Sequence, residues 1–116
     1  MAQKIHIWTV QELNLEGAVR GDDFSFVLSL TEENKDFTGT SARMQARKTV
    51  ESDTVLDLVA QVDTSILGEC TLTFTETAAN TSTLLGDYLY DVELTIDGSK
   101  KTYVAGKINF KEDITR

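Results

Sequence analysis

Catalytic or metal chemistry requires a few side chains of the right type to converge, so the rarest reactive residues are informative first. His6 and Cys70 are the sole histidine and cysteine of the 116 residues. One of each, far apart in sequence, does not make a zinc site of the usual kind or a Ser-His-Asp arrangement. His6 stands in "KIHIW", out of phase with Ile5 and Ile7, and reads as a solvent-facing strand residue. Cys70 stands in "GECTLTF", in phase with Leu72 and Phe74, and reads as a small buried hydrophobe. A lone cysteine also leaves no intrachain disulfide, so the fold must live on its core. The carboxylate pairs Asp22/Asp23, Glu32/Glu33 and Glu112/Asp113 are adjacent in sequence. Neighbours on a strand point to opposite faces, so neither member of a pair converges on a substrate with the other. There is no glycine-rich phosphate loop and no nucleophile elbow, and "DGSKKTY" lacks the evenly spaced oxygens of a calcium loop. The expectation is a protein without catalysis, metal or cofactor.

One short run points to recognition instead. Arg20-Gly21-Asp22, in "AVRGDDFSFVLSL", is the tripeptide that some extracellular proteins present to adhesion receptors. The same residues also suit a turn: Gly21 supplies backbone freedom, and Asp22 can cap the bend before the run that begins at Phe24. The turn is the reading adopted.

The elements around these residues have a period of two. In "FSFVLSLT", Phe24, Phe26, Leu28 and Leu30 share a face; in "CTLTFT", Cys70, Leu72 and Phe74 do; in "YLYDVELTI", Tyr88, Tyr90, Val92, Leu94 and Ile96 do. Strands with one buried and one wet face give this pattern. Weaker runs are "KIHIWTV", "VLDLVAQV" around Leu56 and Leu58, and "KTYVAGKINF" with Val104, Ile108 and Phe110 in phase. "ARMQARKT" reads as a strand with Ala42, Met44 and Ala46 on one side, although its residue types also suit a short helix. "EGAVRGDD", "TEENKDFTGTS", "VESDT" and "DTSILGE" read as turns. Asp97-Gly98 in "IDGSK" is a strong hairpin signal. "ETAANTSTLLG" has room for one helical turn capped by Thr77. In "LLGDYLYDVEL", Gly86 and Asp87 precede Tyr88 as they do the corner tyrosine of immunoglobulin-like sandwiches; a plain core tyrosine is the other reading. About seven short strands describe an all-β fold, a small antiparallel sandwich or barrel, as one domain over residues 1–116.

The totals restrict partners. With 19 acidic and 11 basic residues the net charge is -8, the wrong sign for a nucleic-acid partner. The basic groups, Arg43/Arg47/Lys48 and Lys100/Lys101, are small. No stretch approaches the roughly 18 consecutive apolar residues of a membrane helix, so no membrane partner is expected. "MAQKIHIWTVQE" has no apolar signal region, and synthesis and use without Sec export is expected.

Read in order, "RGDDFSFVLSL", "DFTGTSARMQARK", "LDL", "GECTLTFTETAANTSTLLGDYLYDVELTIDG" and "AGKINFKEDITR" resemble a family of small tailed-bacteriophage proteins. Its members include the N-terminal anchoring domains of upper baseplate and fibre-attachment proteins. The resemblance spans about Arg20 to Arg116 and departs from the family pattern in lacking a proline before the Tyr88 strand and any fibre extension. It implies an immunoglobulin-like β-sandwich in the virion tail, synthesised in the bacterial host cytoplasm. It further implies a non-enzymatic adaptor that packs against other phage tail or fibre proteins as a homo-oligomer in a ring. Capsid decoration, or binding of carbohydrate or a cell surface, is the alternative. The interface residues expected are Trp8, His6, Val10, Arg43 and Arg47, with Trp8 either an anchor or part of the domain's own core. Residues 1–15 are read as an N-terminal arm or an edge strand. Gly21, Asp22, Gly86, Tyr88, Asp97 and Gly98 are the turn and corner residues.

Overall fold

The computed structural model describes the backbone of residues 2–6, 11–12 and 14–112, and side chains from residue 14 to residue 112. The period-two runs form strands in two facing sheets, a β-sandwich. One sheet has the order β1 (Ala2–His6), β4 (Phe24–Thr31), β8 (Glu69–Glu76), β7 (Gln61–Asp63). The other runs β10 (Ser99–Lys111), β9 (Gly86–Ile96), β5 (Ser41–Arg47), β6 (Thr54–Val59). The short strands β2 (Gln11–Glu12) and β3 (Leu15–Val19) lie along the far side of β10. Pairing is antiparallel throughout the centre. The N-terminal strands alone are parallel to their neighbours, β1 to β4 and β2 and β3 to β10.

The in-phase side chains of β4, β5, β8 and β9 named from the sequence are all buried. "ARMQARKT" is a strand, because Ala42, Met44 and Ala46 fill one face between β9 and β6. Aromatic rings join the two sheets. Phe26 stacks on Phe74 within its own sheet at 6.2 Å and meets Tyr90 of the facing sheet edge-on at 6.5 Å. Phe110 lies 6.0 Å from Phe24 across the gap and 6.0 Å from Tyr88 beside it.

Three local expectations are corrected. "EGAVRGDD" is not wholly a turn: its first part belongs to β3, which buries Leu15 and Ala18 three residues apart. A register shift between Ile108 and Phe110 of β10 accompanies that spacing, and it hides the strand from a period-two reading. "VLDLVAQV" is two strands, since β6 leaves its sheet at Ala60 and β7 joins the facing one. Thr77 precedes the helical turn α1 (Ala78–Thr81) but makes no side-chain cap; Asp23, from a distant turn, accepts the Ala78 N–H at 2.8 Å. β3, the division into β6 and β7, and the two-residue β2 raise the strand segments from about seven to ten among the described residues.

Left-handed backbone recurs in the turns, and at two of them it is decisive. Asp97 and Gly98, with φ of 53° and 78°, close the β9–β10 hairpin as their dipeptide suggests. Gly68 has φ +83° and is buried where two loops meet. Its N–H donates to Lys35 O at 2.8 Å and its carbonyl accepts the Glu32 N–H at 3.0 Å. A Cβ there would lie 3.0 Å from Glu32 O, a backbone atom that cannot swing aside. Gly68→Ala combines this contact with an unfavourable φ and should destabilise the fold by about 2 kcal/mol. Urea denaturation followed by tryptophan fluorescence checks this, with an unchanged midpoint counting against the close approach.

Candidate interaction surface

The turn containing Arg20, Gly21 and Asp22 is held to α1 by a buried threonine. Thr81 Oγ1 donates to Asp22 O at 2.7 Å and accepts the Gly21 N–H at 3.1 Å. Arg20 Nε donates to Ser82 O at 2.9 Å, and Arg20 N–H donates to Lys111 O at 2.8 Å. With the Asp23–Ala78 bond, the tripeptide is fastened at every residue, and its arginine is committed to a carbonyl. The tripeptide is a structural corner held through its backbone and Arg20 Nε, and the carboxylate that bonds across the corner is that of Asp23, not of Asp22 as the sequence suggested. Thr81 carries no motif and could not be found from the sequence.

Gly86 and Tyr88 sit at the neighbouring corner. The Leu85 N–H donates to Tyr88 Oη at 3.1 Å, so the hydroxyl reaches back across the connection into β9, as in a tyrosine corner. Lys48 Nζ stands 4.5 Å over the Tyr88 ring and donates to Leu85 O at 3.3 Å. Lys48, Val50, Glu51, Asp87, Tyr88 and Lys107 line an open hollow of about 670 Å³. Its charges are mixed in sign, and Asp87 already accepts from Asn109 Nδ2 at 2.7 Å.

Arg43 and Arg47 lie on the solvent side of β5, and both turn toward β6. Arg43 Nε donates to Asp57 Oδ1 at 2.6 Å, and its Nη2 pairs with Asp57 Oδ2. This bidentate contact holds the Asp57 carboxyl below the usual carboxylate range. Arg47 Nη2 donates to Thr54 Oγ1 at 3.1 Å. Neither arginine is a free anchor, though both border the same edge. Trp8 and Val10 lie outside the described residues; His6 is in β1 by its backbone, and its side chain is not described. The expected arm is, over Ala2–His6, a strand paired with β4 of the same chain, at the margin of its sheet.

The side that carries β6 and β7 received no attention from sequence motifs. Here both sheets end at once, because the chain passes from one to the other at Ala60. Among the described residues, the exposed large apolar side chains concentrate in this stretch: Val50, Val55, Val59, Val62, Ile66 and Leu67. Val59 is 74% exposed. The out-of-phase valines of "VLDLVAQV" were the available signal, and they are legible as exposed only once Leu56 and Leu58 are known to face the core.

No group of His, Cys, Asp or Glu among the described residues could hold a metal, and no helix is long and apolar enough to cross a membrane. No protein-family model matches the chain, and no curated protein is similar to it. Among solved structures, the major subunit of aggregative adherence fimbriae type I from Escherichia coli is similar at 9% identity and a TM-score of 0.41. That match covers 95% of this chain and 89% of the other. It corrects the expectation of a phage structural protein, tail adaptor or capsid decoration alike: the similar structure is a bacterial fimbrial subunit, not a phage component. At that identity and TM-score, the fimbrial role does not transfer to this chain.

Two outcomes test the corner and the core. Thr81→Val keeps the shape but strips the hydroxyl, leaving Gly21 N–H and Asp22 O without their partner. It should cost about 2 kcal/mol in urea denaturation and speed amide exchange at Gly21. Cys70 is fully buried, and burial, with a lesser push from Asp63, raises its thiol pKa from 9.0 to about 11. Folding therefore favours the thiol. That contribution is intact below pH 9, the ordinary value, and declines as pH rises through about 11, because the unfolded chain loses the proton first. Ellman's reagent should leave the native protein unlabelled at mildly alkaline pH and label it once urea unfolds it; rapid native labelling would contradict the burial.

Proposed function

We propose that this chain is a non-catalytic structural module that works by associating with other protein along the side where β6 and β7 run. The observation that carries this reading is the coincidence of two open sheet edges with the cluster of exposed valines, isoleucine and leucine. Val55, Val59 and Val62 lie on those edge strands themselves, and a soluble domain seldom leaves apolar side chains along an unpaired edge unless something covers them. An edge strand also presents unpaired N–H and C=O groups, which commonly receive a proline, an inward charge or a cover. The sequence has no proline, and the single charge within β6, Asp57, is already neutralised by Arg43. The reactive side chains support a non-enzymatic role: the thiol is buried and protonated, and the arginines and the tripeptide are engaged in structure.

A photo-crosslinking residue placed at Val59, in the cells that naturally make the protein, tests the association. Crosslinks to protein are expected from Val59 and not from the same residue at Ser25, an exposed position on β4 of the other sheet. The adduct mass separates a second copy of the 12.9 kDa chain from another protein. No crosslink at Val59, or equal crosslinking at both positions, would overturn the reading.

A further inference from the structure

The backbone of β6 defines what can be added to it. The Ala60 N–H donates to Ala42 O at 3.0 Å, while Leu58 lies opposite Met44 and Leu56 opposite Ala46. In an antiparallel ladder the bonding direction alternates by residue. The polar groups of Leu56, Leu58 and Ala60 thus turn toward β5, and those of Asp57 and Val59 turn to the open edge, while a register shift at Val55 interrupts the alternation. Val55, Asp57 and Val59, together with Thr54, carry the exposed side chains of the strand. A polypeptide laid along β6 would therefore find a free ladder whose solvent face reads apolar, acidic, apolar.

Charge narrows the partner. From Val50 to Leu67 the chain contains Glu51, Asp53, Asp57 and Asp63 and no lysine or arginine. Arg43 and Arg47 of the adjoining strand β5 are already bonded within the domain, as is Lys48 before the stretch. A second copy would bring the same acidic rim against this one, and the chain as a whole carries a net charge of -8. Electrostatic complementarity favours a basic partner.

We propose that β6 accepts an added antiparallel strand from a different protein, an extended segment in which apolar and basic side chains alternate along one face. The apolar residues sit beside Val55 and Val59, and the basic ones meet Glu51 and Asp53 at one end and Asp63 at the other, Asp57 being already paired with Arg43. Main-chain bonds supply affinity, and the alternation supplies selectivity. This rests on the association reading and names its partner class.

The test is fluorescence anisotropy on the intact chain, with a labelled peptide of about eight residues that has valine and lysine alternating on one face and threonine on the other. Saturable binding is expected, about tenfold tighter than for the same peptide with glutamate in place of lysine. It should weaken severalfold as salt rises from roughly 50 mM to roughly 500 mM. N-methylation of the amides that would enter the ladder should reduce binding by about tenfold or more, and this arm leaves the protein unaltered. Val59→Pro removes one outward N–H while sparing the bonds to β5, and it should abolish binding with the circular dichroism spectrum preserved. Equal affinity for the two peptides, indifference to N-methylation, or no saturable binding would each overturn the proposal. So would a dimer of the chain alone, in sedimentation equilibrium, that Val59→Pro dissolves, since the occupant would then be a second copy. Crosslinks from Val59 in cells without peptide selectivity would defeat this proposal alone; peptide selectivity without crosslinks would defeat the association reading alone.

Discussion

The structure depends on the contact between two sheet faces made almost wholly of in-phase apolar side chains, with an aromatic seam at its centre. Phe26 and Phe74 lie on one sheet and Tyr90 on the other, and the edge-on meeting of Phe26 with Tyr90 ties them. Nothing else in the chain could replace that contact: there is no disulfide, and among the described residues no cluster that could hold a metal. A domain of this size must then gain nearly all its stability from apolar burial. The cost is that reactive groups are used up in structure. Cys70 fills a core position beside Leu72, and burial pushes the Tyr90 hydroxyl's pKa well above its ordinary value.

The same constraint explains where the polar machinery goes. Corners must turn the chain at the ends of the sandwich, and their backbone groups need partners once they are partly covered. Thr81 supplies two for the Gly21–Asp22 turn, and Tyr88 supplies one for Leu85. Among the described residues the ion pairs lie at the surface, with Lys35 on Asp97 at 2.7 Å and Lys100 on Glu93 at 3.3 Å. Exposed pairs of this kind contribute little to stability individually. They nevertheless occupy cations that a binding surface would otherwise display.

What remains unoccupied is the side where the chain changes sheet. A sandwich closes its faces but not its edges. At one margin the N-terminal strands β1, β2 and β3 extend both sheets. At the other, β6 and β7 end them with valines turned to water and acids around them. The asymmetry between a margin extended by the chain itself and one left open gives this domain a direction in which to associate.

The sequence by itself determined the strands that bury one full face. Alternation in the runs from Phe24, Ser41, Cys70 and Tyr88 is a local property of the pleat, and the Asp97-Gly98 hairpin is likewise local, so both can be read without knowing any neighbour. Features that depend on a partner far along the chain were not legible. β3 is disguised by a spacing that matters only against β10; Thr81 and Asp23 act on residues more than fifty positions away. The division of "VLDLVAQV" depends on which sheet lies beside each half. Resemblance of short motifs suggested a setting that structural comparison did not support, because turns and alternating strands recur wherever a sandwich forms. Tertiary structure alone decided which valines stay in water, since exposure is a relation between a side chain and everything that fails to cover it.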